Sequence, residues 1–179
     1  MWYNAQSPTT GTITDPSCPW YSWWFQGFRL GNYAMKQVLF LCTGNYYRSR
    51  FAEHLFNALA EREGLAWRAI SRGLAIERGV GNLGALSRAA LQGLAARGVA
   101  VPAGERGPRQ ATAADFAGSD RIVALDEVEH RPLVEERFPA WAAAVEYWDI
   151  HDLDLTGPRE ATARMERGVR ELLRRVPYW

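Results

Sequence analysis

A short apolar run that ends in a cysteine constrains this chain more than any other feature of its sequence. Residues 38–41 read Val-Leu-Phe-Leu and Cys42 follows them, then Thr-Gly-Asn-Tyr-Tyr, then Arg48 and Ser49. An apolar run, a short polar segment and a helical pattern predict a strand, a tight loop and a helix. Such a loop directs backbone N–H groups at one point and adds the positive end of the helix dipole, and Arg48 can return across it as a planar fork that matches phosphate oxygens. We therefore expect a phosphate-binding loop with a thiolate nucleophile at its base.

Composition sets the broad class of protein. A length of 179 residues suits one domain with a substantial core. The net charge of +1 gives no argument for a nucleic acid or for a polybasic membrane surface as partner. No run of about 18 apolar residues is present, so no transmembrane helix is expected. Two cysteines cannot form a disulfide framework in a chain of this size, so we expect a reducing, cytoplasmic compartment.

Residues 1–34 differ from the rest in being rich in Trp, Tyr and Phe, with Asp15 and Arg29 as their charged side chains. Met35 precedes the first strand and would be a natural start for a domain over residues 35–179. We expect the first segment to be an upstream extension or leader. An aromatic arm that packs on the domain or binds a partner is the alternative, and a redox bridge from Cys18 to Cys42 is also open.

From Lys36 onward the sequence alternates between strand and helix patterns. Strands are predicted over 37–41, 65–71, 120–125 and 142–148, although the alanines of the last segment also allow a helix. Helices are predicted over 48–63, 83–97, 127–138 and 159–176, with a short one from Thr112 to Phe116. This order predicts an α/β fold, a four-stranded parallel sheet with helices on both faces. Ligands of such sheets bind beyond the carboxyl ends of the strands, where the Cys42 loop and the loops after Leu125 and Trp148 should open.

The sequence resembles the low-molecular-weight protein tyrosine phosphatases over roughly residues 35–179. The resemblance rests on Cys42, which follows the first strand and is separated by five residues from Arg48 and Ser49. Gly44-Asn45 inside the loop and Ala52-Glu53 in the following helix also match the family. It implies a cofactor-free phosphomonoester hydrolase that forms a phosphocysteine. A phosphotyrosine protein or a small phosphomonoester would be its substrate.

The resemblance assigns a role to each residue type in the loop. Cys42 would attack phosphorus, and Arg48 would hold two phosphate oxygens into the transition state. Asn45 would brace the loop in a left-handed conformation, and Ser49 would hydrogen-bond the thiolate and make it a better leaving group. The implied phosphate-binding segment comprises Thr43, Gly44, Asn45, Tyr46, Tyr47, Arg48 and Ser49.

A leaving oxygen needs a proton, and the resemblance implies an Asp in the loop after the last strand as general acid. Matching the strand end places Asp152 there, with Asp149 and Asp154 as rivals. The Pro that usually follows is replaced by Leu153. A metal site among these carboxylates is not expected, because Arg48 and the loop amides would neutralise phosphate.

Three further positions depart from the family pattern. Tyr47 stands where many members carry a second Cys, so their disulfide protection is absent, and Arg50 replaces the usual Pro. Tyr46 offers an aromatic wall for a substrate ring, and it argues against phosphoarginine, since phosphatases for that substrate carry Thr there.

Asp126 is expected to cap a helix and face the edge of the site. His130, within that helix, is expected at a surface or capping position.

Two other functions are compatible with the same fold. An arsenate reductase on this fold needs further cysteines later in the chain, and none follows Cys42. A non-catalytic phosphate-binding or phosphotyrosine-binding module is disfavoured because Cys42, Arg48 and a candidate acid are all present. Leu153, which replaces the Pro that usually follows the acid in the family, keeps that alternative open.

Overall fold

The computed structural model describes residues 34–79, 82–151 and 157–176. Within them, one sheet contains the strands β1 Lys36–Cys42, β2 Trp67–Gly73, β3 Arg121–Ala124 and β4 Val145–Tyr147. The strands lie in the order β2-β1-β3-β4, and each neighbouring pair is parallel. The predicted four-stranded parallel sheet is confirmed.

Five α-helices accompany the sheet in the described part of the chain. They are α1 Arg48–Arg62, α2 Arg88–Ala95, α3 Ala113–Ala117, α4 Glu127–Arg137 and α5 Pro158–Arg175. Two short 3₁₀ segments span Ile76–Arg78 and Pro139–Ala144. None of the helices in the described ranges is long and apolar enough to cross a membrane.

The side chains of β1 alternate between two hydrophobic layers, one on each face of the sheet. Val38 and Phe40 are fully buried in the layer that contains apolar residues of α1, α2 and α5. Leu39 and Leu41 are equally buried in the opposite layer, with residues of α3 and α4. A strand covered on both faces needs an unbroken apolar run, which is why residues 38–41 carry no polar side chain.

The second helix begins later than predicted, at Arg88 rather than at residue 83. The side chain of Ser87 accepts a hydrogen bond of 3.1 Å from the backbone N–H of Ala90 and so caps the helix there. Gly84 has a φ of +83°, a left-handed conformation that a continuing helix does not allow. The predicted strand over 142–148 is likewise shorter, because the alanine-rich residues 139–144 form a 3₁₀ segment.

The loops after β3 and β4 meet at the carboxyl edge of the sheet, as predicted. The backbone N–H of Glu127 donates to the carbonyl of Trp148 at 2.8 Å, and that of Ile150 donates to the carbonyl of Leu125 at 2.9 Å. These bonds hold the two loops beside the end of β1, where the Cys42 loop begins. Residues 1–33 lie outside the described residues, so the aromatic extension and the Cys18 bridge stay predictions.

Candidate active site

The loop between β1 and α1 turns its carbonyl groups outward. Four of them accept backbone hydrogen bonds of 2.8 to 3.1 Å from outside the loop: those of Cys42, Thr43, Tyr46 and Tyr47 accept from Leu74, Ala75, Ser87 and Phe51. A trans peptide directs its C=O and its N–H to opposite sides. The N–H groups of the same peptide units are therefore turned away from these partners, toward the inside of the loop.

Cys42 lies at the base of this loop and is 3% exposed. Its Sγ lies 3.0 Å from the Oγ of Ser49 in the first turn of α1. The Nδ2 of Asn45 donates to that same Oγ at 3.0 Å. When Cys42 is a thiolate it has no proton to donate, so the hydroxyl of Ser49 is the donor between the two atoms. The arrangement gives a sulfur anion a fixed hydrogen-bond donor.

Asn45 uses both ends of its amide to hold the loop. Its Nδ2 also donates to the Oγ of Ser71 at 2.8 Å, and its Oδ1 accepts from the backbone N–H of Arg109 at 2.9 Å and from Arg106 Nη1 at 3.0 Å. Asn45 is fully buried and has a φ of +49°, which few residues other than Gly adopt readily. The four hydrogen bonds compensate for that conformation.

A network of two arginines and two glutamates lies below Asn45, with Arg50 fully buried and the other three side chains partly buried. Arg106 Nη2 lies 2.9 Å from Glu53 Oε2, and the hydroxyl of Ser71 donates to the same oxygen at 2.6 Å. Arg50 is fully buried and pairs with Glu53 at 3.3 Å and with Glu105 at 2.6 Å. The positive and negative charges are equal in number, so burial of each arginine is compensated by a carboxylate.

Arg48 is 1% exposed, and acidic groups from the loop after β3 and from α4 surround it. Its Nη2 lies 2.7 Å from Glu129 Oε2, its Nη1 lies 3.7 Å from Asp126 Oδ2, and Nη1 donates to the carbonyl of Ile150 at 3.4 Å. The hydroxyl of Thr43 donates to the other carboxylate oxygen of Glu129. Glu129 therefore bridges the Arg and the Thr of the phosphate-binding segment.

Asp126 links α4 to the loop that follows β4. Its Oδ1 accepts from the backbone N–H of Glu129 at 3.2 Å, which confirms it as the helix cap, and its Oδ2 lies 2.8 Å from His151 Nδ1. Burial alone would raise the pKa of Asp126, but the hydrogen bond from His151 holds it below its ordinary value. The same bond raises the pKa of His151, whose Nε2 lies 3.2 Å from Asp149.

His130 is fully buried, so the expectation of a surface position was wrong, although its capping role is real. Its Nδ1 accepts the backbone N–H of Asp126 at 2.9 Å, which leaves the proton on Nε2. Desolvation, aided by the nearby charge of Arg48, lowers the pKa of His130 to about 3. The imidazole is therefore neutral at physiological pH.

A cavity of about 390 Å³ opens above the loop. Its walls come from the phosphate-binding segment, from the irregular segment before α2 and from α4: Cys42, Thr43, Gly44, Tyr46, Tyr47, Arg48, Arg78, Gly79, Asn82, Ser87 and Glu129. The hydroxyl of Tyr46 donates to the carbonyl of Leu83 at 2.5 Å, which fixes its ring in the wall. Cys42 and Arg48 therefore line one cavity together.

The structure brings together the predicted loop residues from Cys42 to Ser49 and places Asp149 beside His151. Asp152 and Asp154 lie outside the described residues. Among the described residues, no group of three or more His, Cys, Asp or Glu side chains has an arrangement that could hold a metal ion.

Sequence reasoning missed three site residues: Glu129, Arg106 and Glu105. Each is a charged residue in a loop or in the first turn of a helix, and such residues usually face solvent. Only the excess of arginines in the segment before α3 hinted at a buried role for that segment.

Known protein families and solved structures include proteins similar to this chain. The family model described as low molecular weight phosphotyrosine protein phosphatase matches residues 37–177. No curated protein sequence is similar enough to count as a relative.

Solved structures share the fold. YfkJ from Bacillus subtilis is 25% identical with a TM-score of 0.70, over 83% of this chain and 98% of that one. A low molecular weight protein tyrosine phosphatase from T. tengcongensis is 22% identical with a TM-score of 0.65, over 78% and 98% of the two chains. The YwlE arginine phosphatase from Geobacillus stearothermophilus is 21% identical with a TM-score of 0.63, over 80% and 94%. With the family model matched over nearly the whole described region, this chain belongs to the low-molecular-weight phosphotyrosine protein phosphatase family of cysteine-based phosphatases.

Proposed function

We propose that the chain is a protein tyrosine phosphatase that acts through a phosphocysteine intermediate. The observation that carries this proposal is the 3.0 Å contact between Cys42 Sγ and Ser49 Oγ at the base of a cavity that Arg48 also lines. The Cys42 thiolate attacks phosphorus, the bond from phosphorus to the phenolic oxygen breaks, and that oxygen takes a proton from a general acid. Water then attacks phosphorus and gives a proton to the carboxylate of the same acid, the bond from phosphorus to sulfur breaks, and inorganic phosphate is released. The sulfur leaves as a thiolate that the Ser49 hydroxyl stabilises.

Arg48 is the proposed binder of the phosphoryl oxygens. Its guanidinium is buried beside the loop, and a buried cation gains more from a phosphate dianion than an exposed one does. The inward N–H groups of the loop add further donors. Together they neutralise the charge that spreads over the equatorial oxygens in the transition state.

Asp152 is the proposed general acid, by its place after the last strand. Its rival Asp149 is 79% exposed at its side chain, and its carboxylate is engaged with His151 at 3.2 Å. The contribution of an acid to rate is typically about 10²–10⁴. With a phosphotyrosine peptide, we expect Asp152→Asn to lose a factor in that range and Asp149→Asn and Asp154→Asn to lose far less. A loss confined to Asp149→Asn or Asp154→Asn would move the acid to that residue.

Phosphotyrosine is the proposed substrate because Tyr46 lies in the cavity wall with its ring fixed by Leu83. A planar aromatic wall suits an aromatic leaving group. Phosphoarginine is the competing substrate, because structural neighbours include proteins described as arginine phosphatases. A cytoplasmic location is the expectation from the cysteine usage of the chain.

Two peptides of one sequence, one with phosphotyrosine and one with phosphoarginine, test the proposal. We expect kcat/KM for the phosphotyrosine peptide to be higher by at least about tenfold, and Cys42→Ser to hydrolyse neither. Preference for phosphoarginine would refute the tyrosine specificity. Binding of both peptides without turnover by the wild type would favour a non-catalytic module instead.

A further inference from the structure

Glu129 contacts two side-chain donors of the phosphate-binding segment, those of Arg48 and Thr43. One carboxylate oxygen lies 2.7 Å from Arg48 Nη2, and the other accepts the hydroxyl proton of Thr43. The carboxylate lines the same cavity as Cys42. A carboxylate matches the guanidinium fork in the same way as two phosphate oxygens do.

Glu129 is the most exposed member of this cluster, and so it is the group that can move. Its side chain is 38% exposed, whereas those of Arg48 and Asp126 are 1% and 5% exposed. The backbone of Glu129 is held in the first turn of α4 by Asp126, which leaves its side chain free to turn outward without disturbing the helix. A phosphoryl group that reaches Arg48 and Thr43 must displace the carboxylate toward the rim of the cavity.

We propose that Glu129 is a specificity-determining residue that competes with the phosphoryl group for Arg48 and Thr43 and favours substrates with a cation beside the phosphoryl group. The inference rests on the proposed function and deepens it. Once displaced, the carboxylate stands close to the phosphate charge and repels it. A basic side chain of the substrate, next to the phosphotyrosine, pairs with the displaced carboxylate and offsets that repulsion.

Binding of inorganic phosphate tests the competition without any need for turnover. Calorimetric titration of wild type and Glu129→Gln with inorganic phosphate should show binding about tenfold tighter in the variant, since the charge of the competitor is gone. The matched control is Glu127→Gln, on the same turn of α4. The Glu127 side chain is 54% exposed and pairs with Arg131 at 2.7 Å, so this variant should bind phosphate as the wild type does.

Two phosphotyrosine peptides that differ only in Arg or Gln beside the phosphotyrosine test the selection. Wild type and Glu127→Gln should show a KM about fivefold lower for the Arg peptide, as expected for one partly exposed ion pair. In Glu129→Gln the two peptides should have nearly equal KM.

Either of two results would overturn the proposal. Phosphate binding that is unchanged or weaker in Glu129→Gln would mean that Glu129 does not compete but supports Arg48, and a fall in kcat would accompany it. A preference for the Arg peptide that persists in Glu129→Gln would place the selecting charge elsewhere. Failure of the phosphatase proposal itself is seen separately, as full activity of Cys42→Ser on p-nitrophenyl phosphate.

Discussion

The Oγ of Ser49 lies 3.0 Å from the Sγ of Cys42, and Asn45 donates to that same oxygen. When Cys42 is a thiolate, the single proton of Ser49 is the one that can bridge the oxygen and the sulfur. In the proposed mechanism Cys42 must also leave at the end of the reaction, and the Ser49 hydroxyl would stabilise the departing thiolate.

Replacement of Ser49 by Ala should slow the breakdown of the phosphocysteine. A hydrogen bond to a charged group contributes about 1.5–3 kcal/mol, so we expect kcat to fall by about 10–100-fold. Stopped-flow measurement with p-nitrophenyl phosphate should show a larger burst relative to the steady state. Ser119→Ala is the control, because its hydroxyl donates to the carbonyl of Asp115 away from the loop. Equal kcat values for the two variants would contradict the assigned role.

Gly73 should tolerate no side chain, because β2 ends against the phosphate-binding segment. A Cβ at this position would lie 2.8 Å from the carbonyl oxygen of Thr43 and 2.5 Å from a methyl group of Ile76. Gly73→Ala should lower the free energy of unfolding by about 1–3 kcal/mol and reduce kcat/KM, since the loop must shift.

The matched control for that change is Gly107→Ala. A Cβ at Gly107 meets no described atom within 4 Å, so urea unfolding and phosphatase assays should give values close to the wild type. If Gly73→Ala behaves like Gly107→Ala, the loop is not in contact with the end of β2.

Arg106 should support both stability and the active-site loop, because it contacts Asn45, Ser71 and Glu53 at once. Arg106→Gln leaves Glu53 with one fewer charged partner, and we expect a loss of about 1–3 kcal/mol in urea unfolding. Arg164→Gln removes a solvent-exposed pair with Glu160 and should cost less than about 1 kcal/mol. Similar losses in the two variants would show that the network beneath Asn45 contributes no more to the free energy of unfolding than an exposed ion pair does.

Much of the fold could be predicted from local signals. The apolar run of β1 and the turn-helix sequence after Cys42 each identify an element through neighbouring residues alone. The contact between Cys42 and Ser49 was an expectation from the family resemblance, which the same short segment carries. Asp126 was found as a cap because a capping residue and its helix are adjacent in sequence.

The supporting side chains could not be predicted, because their partners are distant in the sequence. Arg106 contacts Asn45 from 61 residues away, and Glu129 reaches Thr43 from 86 residues away. A glutamate in the first turn of a helix interacts favourably with the positive end of the helix dipole. This interaction alone explains a glutamate at position 129, so the sequence gives no sign of a role in the site. The contacts of Glu129 with Arg48 and Thr43 become visible only in the folded chain, where the parallel sheet brings these loops to one edge.

The pair of His151 and Asp126 should make stability depend on pH within a defined window. The hydrogen bond raises the pKa of His151 above 6.5, so its contribution is complete below that value and is lost as pH rises through the folded-state pKa. The pKa of Asp126 lies below 3.8, so its contribution is lost only as pH falls through that lower value. The stabilisation is therefore greatest between about pH 4 and pH 6.5.

Urea unfolding of wild type and His151→Asn at pH 5 and pH 8 checks this window. The difference between the two proteins should be larger at pH 5 than at pH 8. His130, whose pKa is lowered to about 3, destabilises both proteins as pH falls below 6.5, so its effect cancels in the difference. A difference independent of pH would mean that His151 is not charged in its contact with Asp126.

Trapping the covalent intermediate tests the central claim most directly. Wild-type protein is mixed with p-nitrophenyl phosphate, quenched within the burst phase, digested and examined by mass spectrometry. The phosphatase mechanism predicts one phosphoryl group on the peptide that contains Cys42, located on its sulfur, with no turnover by Cys42→Ser. Hydrolysis at the wild-type rate by Cys42→Ser, or a phosphoryl group on another residue, would contradict it.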